Sequence, residues 1–142
     1  MPLICRIDPT QGLVVTEVWG RVTDDDVCGH LHQLLHSQQF APEMDQLVLN
    51  RGRVDYQVTA EAVRRVARGN AFGEGSRRAI VTNSPIGYGI ARMYELMVNS
   101  GYDNQVQVFR AEAPALNWLG LSRDGNVHKS SPATLSQQFA AG

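Results

Sequence analysis

The sequence predicts an α/β fold in which a five-stranded mixed sheet opens with an antiparallel hairpin and carries about four helices. Three observations predict it. Leu3–Asp8 and Leu13–Trp19 are short strand-like runs separated only by Pro9-Thr10-Gln11-Gly12, a connection that can join only neighbouring antiparallel strands. After them, short apolar runs alternate with stretches of helical periodicity, the pattern of parallel strands joined by right-handed crossovers. Finally, Arg77–Val98 reads as a buried strand, a polar hinge at Asn83-Ser84-Pro85, and a long helix. Ile86, Ile90, Met93 and Met97 recur there at helical spacing and are predicted to be its inward face.

Each remaining element follows from local chemistry. Thr23 is a good N-cap, and Asp24, Asp25 and Asp26 suit the positive first turn of a helix reaching about Ser37. That helix is predicted to bury Val27, Leu31, Leu34 and Leu35. Gln46–Asn50 is a short apolar strand, central and covered on both faces, and Arg51–Val58 is read as a polar loop. Thr59 caps a helix over Ala60–Ala71, with Ala62, Val63, Val66 and Ala67 inward and Arg64, Arg65 and Arg68 outward. Gly101 stops the helix after the hinge, and Val106–Arg110 is the last strand. Ala111–Leu119 is a short helix that tolerates Pro114 in its first turn and clamps Leu116, Trp118 and Leu119 onto the sheet. Residues 1–121 thus form one domain. Residues 122–142 form a polar tail, with at most a marginal helix over Pro132–Phe139.

Composition limits the function classes. The chain has 142 residues, 43% hydrophobic and 19% charged, enough to bury a core without disulfides or metals. A net charge of -1 supplies no basic field for nucleic acid. No apolar run approaches the roughly 20 residues needed to cross a bilayer, and the N-terminus lacks the pattern of a secretory signal. Cys5 and Cys28, read as free thiols, fit a cytoplasmic location.

Candidate chemistry is sparse. Cys28, His32 and His36 share one helical stripe, but three turns of a straight helix spread them too far for one ion, and Asp24–Asp26 fan apart. No metal or cofactor is predicted. No nucleophile elbow, Cys-x-x-Cys pair or phosphate loop is present, so the chain reads as a non-enzymatic protein. In parallel sheets ligands gather at the C-terminal strand ends, here Asn50–Gln57 and Thr82–Tyr88. Asn83, Ser84, Tyr88, Arg92 and Met93 are the candidate ligand-binding residues. Arg92 either pairs with Glu95 or presents its fork to a bound anion.

Gly89-Ile90-Ala91-Arg92-Met93-Tyr94-Glu95 and Val108-Phe109-Arg110-Ala111-Glu112-Ala113-Pro114-Ala115-Leu116-Asn117-Trp118-Leu119 resemble small bacterial SpoIIAA-like proteins. That group joins the STAS anti-sigma-factor antagonists and the CRAL-TRIO lipid-binding fold. The resemblance covers about residues 3–121 and implies a STAS-like sandwich. STAS antagonists carry a phosphorylatable serine after the third strand. Here Leu49–Thr59 holds no serine, and Thr59 is the hydroxyl left at that position.

Two functions follow. The first is a regulatory module docking a protein partner through its loops and the Arg64, Arg65 and Arg68 face. The alternative is a carrier holding a small apolar or amphipathic ligand between helices and sheet, with Met93, Met97, Phe72 and Tyr88 as wall residues. A homodimer through the helical faces is compatible with both.

Overall fold

The computed structural model describes residues 3–69, 71–73, 75–99 and 105–121. The strands are β1 (Leu3–Asp8), β2 (Leu13–Thr23), β3 (Asp45–Gln57), β4 (Arg78–Val81) and β5 (Val106–Phe109). The helices are α1 (Asp24–Leu35), α2 (Ala60–Arg68), α3 (Pro85–Val98) and α4 (Glu112–Trp118). One sheet runs β1-β2-β3-β4-β5, with β1 antiparallel to β2 and every later pair parallel. This is the predicted α/β architecture. The expected stop at Gly101 and the tail beyond residue 121 lie outside the described residues.

The hairpin closes as its residues dictate. Asp8 accepts from the backbone amides of Thr10 and Gln11, and Gly12 takes the positive φ of 62° that the reversal requires. From there, strand alternation sorts the core. Leu13, Val15, Leu47, Leu49 and Ala79 face Ala115, Leu116 and Leu119 of α4, with Phe109 and Trp118 packed at the border. Val14, Thr16, Val18, Gln46 and Val48 lie on the opposite face, beneath α1, α2 and α3. β3 is therefore central and covered twice, as its apolar run predicted.

Four expectations are corrected. Residues 51–57 are not a loop; β3 continues through them, and Gly20–Thr23 of β2 pairs with Val54–Gln57. The register shifts between Val18 and Gly20, where Gly20 and Gly52 both take φ near +66°. The bulge hides the strand because its residues Arg51-Gly52-Arg53 look like turn chemistry. α1 stops at Leu35, which is 55% exposed rather than buried. α2 stops at Arg68, short of Ala71. Finally, the buried residues of α3 are Gly87, Ala91 and Val98; of the expected inward face Ile90 lines the space above the sheet, while Ile86 is 67% exposed. The small stripe wins because α3 comes so close to the sheet that a Cβ at Gly87 would stand 2.5 Å from Thr82 Oγ1 and 2.6 Å from Tyr56 Cε2.

The largest fully buried side chain is a cation, Arg78 of β4. Its guanidinium donates to Tyr94 Oη at 2.8 Å and to Gln105 Oε1 at 3.2 Å. It also lies over the rings of Phe72 and Tyr94, at 4.9 and 5.9 Å. These contacts tie β4 to α3, to the start of β5 and to the segment after α2. Arg78→Ala is expected to cost about 3 kcal/mol or more, because it leaves a void and strands buried partners. Urea unfolding measures this, and a loss under about 1 kcal/mol would remove Arg78 as the anchor.

Candidate functional site

Between the sheet and helices α1, α2 and α3 lies a cavity of about 170 Å³. Its wall is mostly aliphatic: Val18, Val22 and Val48 from the sheet, Val27 from α1, Val63 and Val66 from α2, and Ile90 and Ala91 from α3. The cavity exists because the small stripe of α3 faces the sheet and fills less space than the Ile and Met stripe would.

Polar groups stand at its ends. Thr16, His30, Gln46 and Tyr94 line it, as does Tyr56. Gln46 Nε2 donates to Thr16 Oγ1 at 2.9 Å, and His30 Nε2 lies 3.0 Å from Thr16 Oγ1 and 3.3 Å from Gln46 Nε2. A neutral imidazole can hydrogen-bond within this group through Nε2 in either tautomer. Burial favours that neutral form, holding the His30 pKa down at about 4. Nδ1 is itself buried and makes no hydrogen bond among the described residues. Burial also raises the Tyr94 and Tyr56 hydroxyls above their usual range.

The two loops expected to gather at the strand ends do meet. Gly52–Tyr56 and Asn83–Ile86 line one open groove of about 830 Å³. Asn83 is exposed there, while Ser84 caps α3 by accepting from the Gly87 amide at 3.0 Å. Tyr56 donates to Asn50 Oδ1 at 2.7 Å, and Asn50 donates to Thr82 Oγ1 at 2.8 Å, closing the floor of this groove.

The other candidates lie elsewhere. Arg92 Nη1 donates to Glu95 Oε1 at 2.7 Å. Tyr88 lies under the guanidinium of Arg110, 4.1 Å from its ring centre. Met93 and Met97 line neither the cavity nor the strand-end groove; with Leu96, Arg64, Ala67 and Arg68 they form a shallow furrow on the outer α2–α3 surface. Phe72 sits beside the cavity, in a small recess shared with His30 and Tyr94. Arg64 is paired with Glu61 at 2.7 Å, and Arg65 and Arg68 are exposed. Thr59 caps α2, and its amide and hydroxyl both donate to Asp24, each at 2.7 Å. Those two hydrogen bonds hold the Asp24 carboxyl below its ordinary range. Both cysteines are free, and burial pushes the Cys5 thiol up to about 11. His32 and His36 stack on one another at 4.1 Å, and among the described residues no group of three or more His, Cys, Asp or Glu is placed to hold a metal ion. No described helix is long and apolar enough to cross a membrane.

No protein-family model, curated protein or solved structure matches this chain. The site therefore rests on its own geometry.

Sequence reasoning missed His30, Thr16, Gln46 and Tyr56, yet signals for them were present. His30 sits three residues after Val27 and four before Leu34, inside the apolar stripe of α1. Thr16 and Gln46 share strand faces with Val14, Val18 and Val48. Val54, Tyr56 and Val58 alternate with Arg53, Asp55 and Gln57, which is a strand pattern.

His30 gives a pH signature. Its folded pKa, about 4, lies below the unfolded value of 6.5, so in this window the unfolded chain binds the proton and the folded chain does not. Stability is then lost as pH falls from 6.5 toward 4. Between pH 7 and pH 5 the loss is about 2 kcal/mol by urea unfolding, and His30→Leu removes that increment. Asp24, with its lowered pKa, acts only below 3.8, and the raised Asp45 works in the opposite sense. Neither imitates His30, and an equal slope in His30→Leu would sink the assignment.

Proposed function

We propose that this chain is a carrier of a small apolar or amphipathic ligand, held between the sheet and the three helices. The observation that carries the reading is the cavity of about 170 Å³ with an aliphatic wall and hydrogen-bonding groups at its ends. A volume of about 150 Å³ is enough for a benzene-sized guest. A few convergent polar groups in an otherwise apolar wall are what orient such a guest. The opening hairpin, the parallel strands after it and the clamp of Leu116, Trp118 and Leu119 support placing the chain among SpoIIAA-like proteins with a STAS-like sandwich. The CRAL-TRIO side of that group fits the carrier reading.

The test is uptake of a compact probe. Benzene or indole at ten times its dissociation constant is expected to raise the melting temperature by about 4 °C. Ala91→Leu, which projects into the cavity from α3, is expected to abolish the shift while the far-ultraviolet dichroism stays native. No shift with either probe would overturn the carrier reading.

A second reading is favoured by the outer α2–α3 furrow. Met93, Leu96 and Met97 supply flexible apolar contact, Leu96 is 63% exposed, and Arg64 and Arg68 rim them. That pairing suits an acidic amphipathic helix from a protein partner. Replacing Arg64, Arg65 and Arg68 together by Glu is expected to remove such a partner from a pull-down. An unchanged set of captured proteins would eliminate this face.

A further inference from the structure

Tyr56 is a wall of both the inner cavity and the outer groove. On the inside it meets Val22, Val48 and Ile80. On the outside it shares the groove wall with Arg53, Val54, Asp55, Asn83, Ser84 and Ile86. We propose that the two spaces are one binding site for an elongated amphipathic molecule, divided by Tyr56. Its compact apolar end fills the cavity, and its polar end lies in the groove. This rests on the carrier reading above and adds the ligand's class and its route.

Three observations support the division at Tyr56. The first is the contrast in lining: the inner space is mostly aliphatic with Thr16, His30 and Gln46 among its walls, and the outer one adds the charged groups Arg53 and Asp55, an amide and a hydroxyl to apolar Val54, Pro85 and Ile86. A mostly aliphatic wall favours an apolar end, and the charged and amide groups of the groove can pair with a polar one, so a ligand with one end of each kind gains in both. Arg53 and Asp55 stand in the same groove with opposite charges, which selects an uncharged or zwitterionic polar end over a net ion.

The second is how Tyr56 is held. Its hydroxyl donates to Asn50 Oδ1 at 2.7 Å and also interacts with Thr82, so the tip of the ring is held by side chains from β3 and from just after β4. The ring edge rests against Gly87, which has no side chain to lock it. The third is the strand beneath it. Tyr56 sits in the part of β3 beyond the bulge, where β3 pairs only with β2 at Gly20–Thr23; β4 reaches only to Leu49. The far side of β3 is thus free of a neighbouring strand at Tyr56, and the groove occupies it.

Two indoles test this. Indole carries only the compact apolar end, and indole-3-propionamide adds an uncharged polar arm. The amide is expected to bind wild type about tenfold more tightly than indole by calorimetry. Arg53→Ala and Asn83→Ala, both at exposed groove positions, are expected to weaken the amide severalfold and leave indole unchanged. Tyr56→Phe removes only the hydroxyl contacts, to Asn50 and Thr82. It is expected to raise association and dissociation rates of the amide about tenfold in stopped flow, with little change in affinity. Tyr56→Ala is expected to do so more strongly, its fold checked by circular dichroism. If indole binds but the amide binds no better and ignores both groove substitutions, the cavity stands and the joined site falls. Unchanged rates in Tyr56→Phe and Tyr56→Ala would remove Tyr56 as the divide. If neither probe binds wild type or Tyr56→Ala, the carrier reading falls and this inference with it.

Discussion

A charged group in the interior sets the terms for this fold. A guanidinium stripped of water is costly unless its donors and its faces are engaged. Arg78 meets that demand through Tyr94, Gln105 and Phe72, which come from α3, the lead into β5 and the segment after α2. These partners are far apart in sequence, and satisfying one cation brings them to one place. The same requirement fixes how far along β4 the helix α3 can sit, because Tyr94 must reach the arginine. Gly87, two turns earlier, then falls directly over Thr82 and Tyr56.

That placement makes the site. A helix pinned at Tyr94 and allowed to approach through Gly87 and Ala91 leaves space between its small residues and the valines of β2 and β3. His30, Thr16 and Gln46 are drawn into a network that depends on the neutral imidazole. The polar and apolar parts of the cavity therefore share one origin: a sheet face on which Thr16 and Gln46 interrupt the valines of β2 and β3.

Much of the fold was legible because it depends on local pattern. The hairpin, the alternation of strands and helices, the doubly covered Leu47–Leu49 segment and the α4 clamp all follow from periodicity and turn chemistry. The site was legible only in outline. The meeting of residues 52–56 with Asn83 and Ser84 follows from the general rule for strand ends. The inner cavity does not, because it depends on which of two stripes of α3 faces inward. Ile86, Ile90, Met93 and Met97 are the more hydrophobic stripe, but Gly87, Ala91 and Val98 are the buried one. Hydrophobicity favours the first, and the clearance over the sheet, a tertiary quantity, decides for the second. Arg78 was hidden for a related reason: an arginine in a strand reads as an edge residue until its partners are known.

The order in which the strands lie has a kinetic meaning. Val15 pairs with Leu47, Leu47 with Ala79, and Ala79 with Gln107, so each new strand docks beside the one made just before it. No strand waits for a distant segment to be inserted between existing neighbours. After the hairpin, closing each parallel pair requires one crossover of similar length, and the loss of chain entropy is spread over comparable steps. Assembly can thus advance from the opening hairpin toward β5, with the cavity completed only when α3 settles onto the face of the sheet. A chain emerging from its N-terminus could form the hairpin and the β2–β3 pair before the residues of α3 exist.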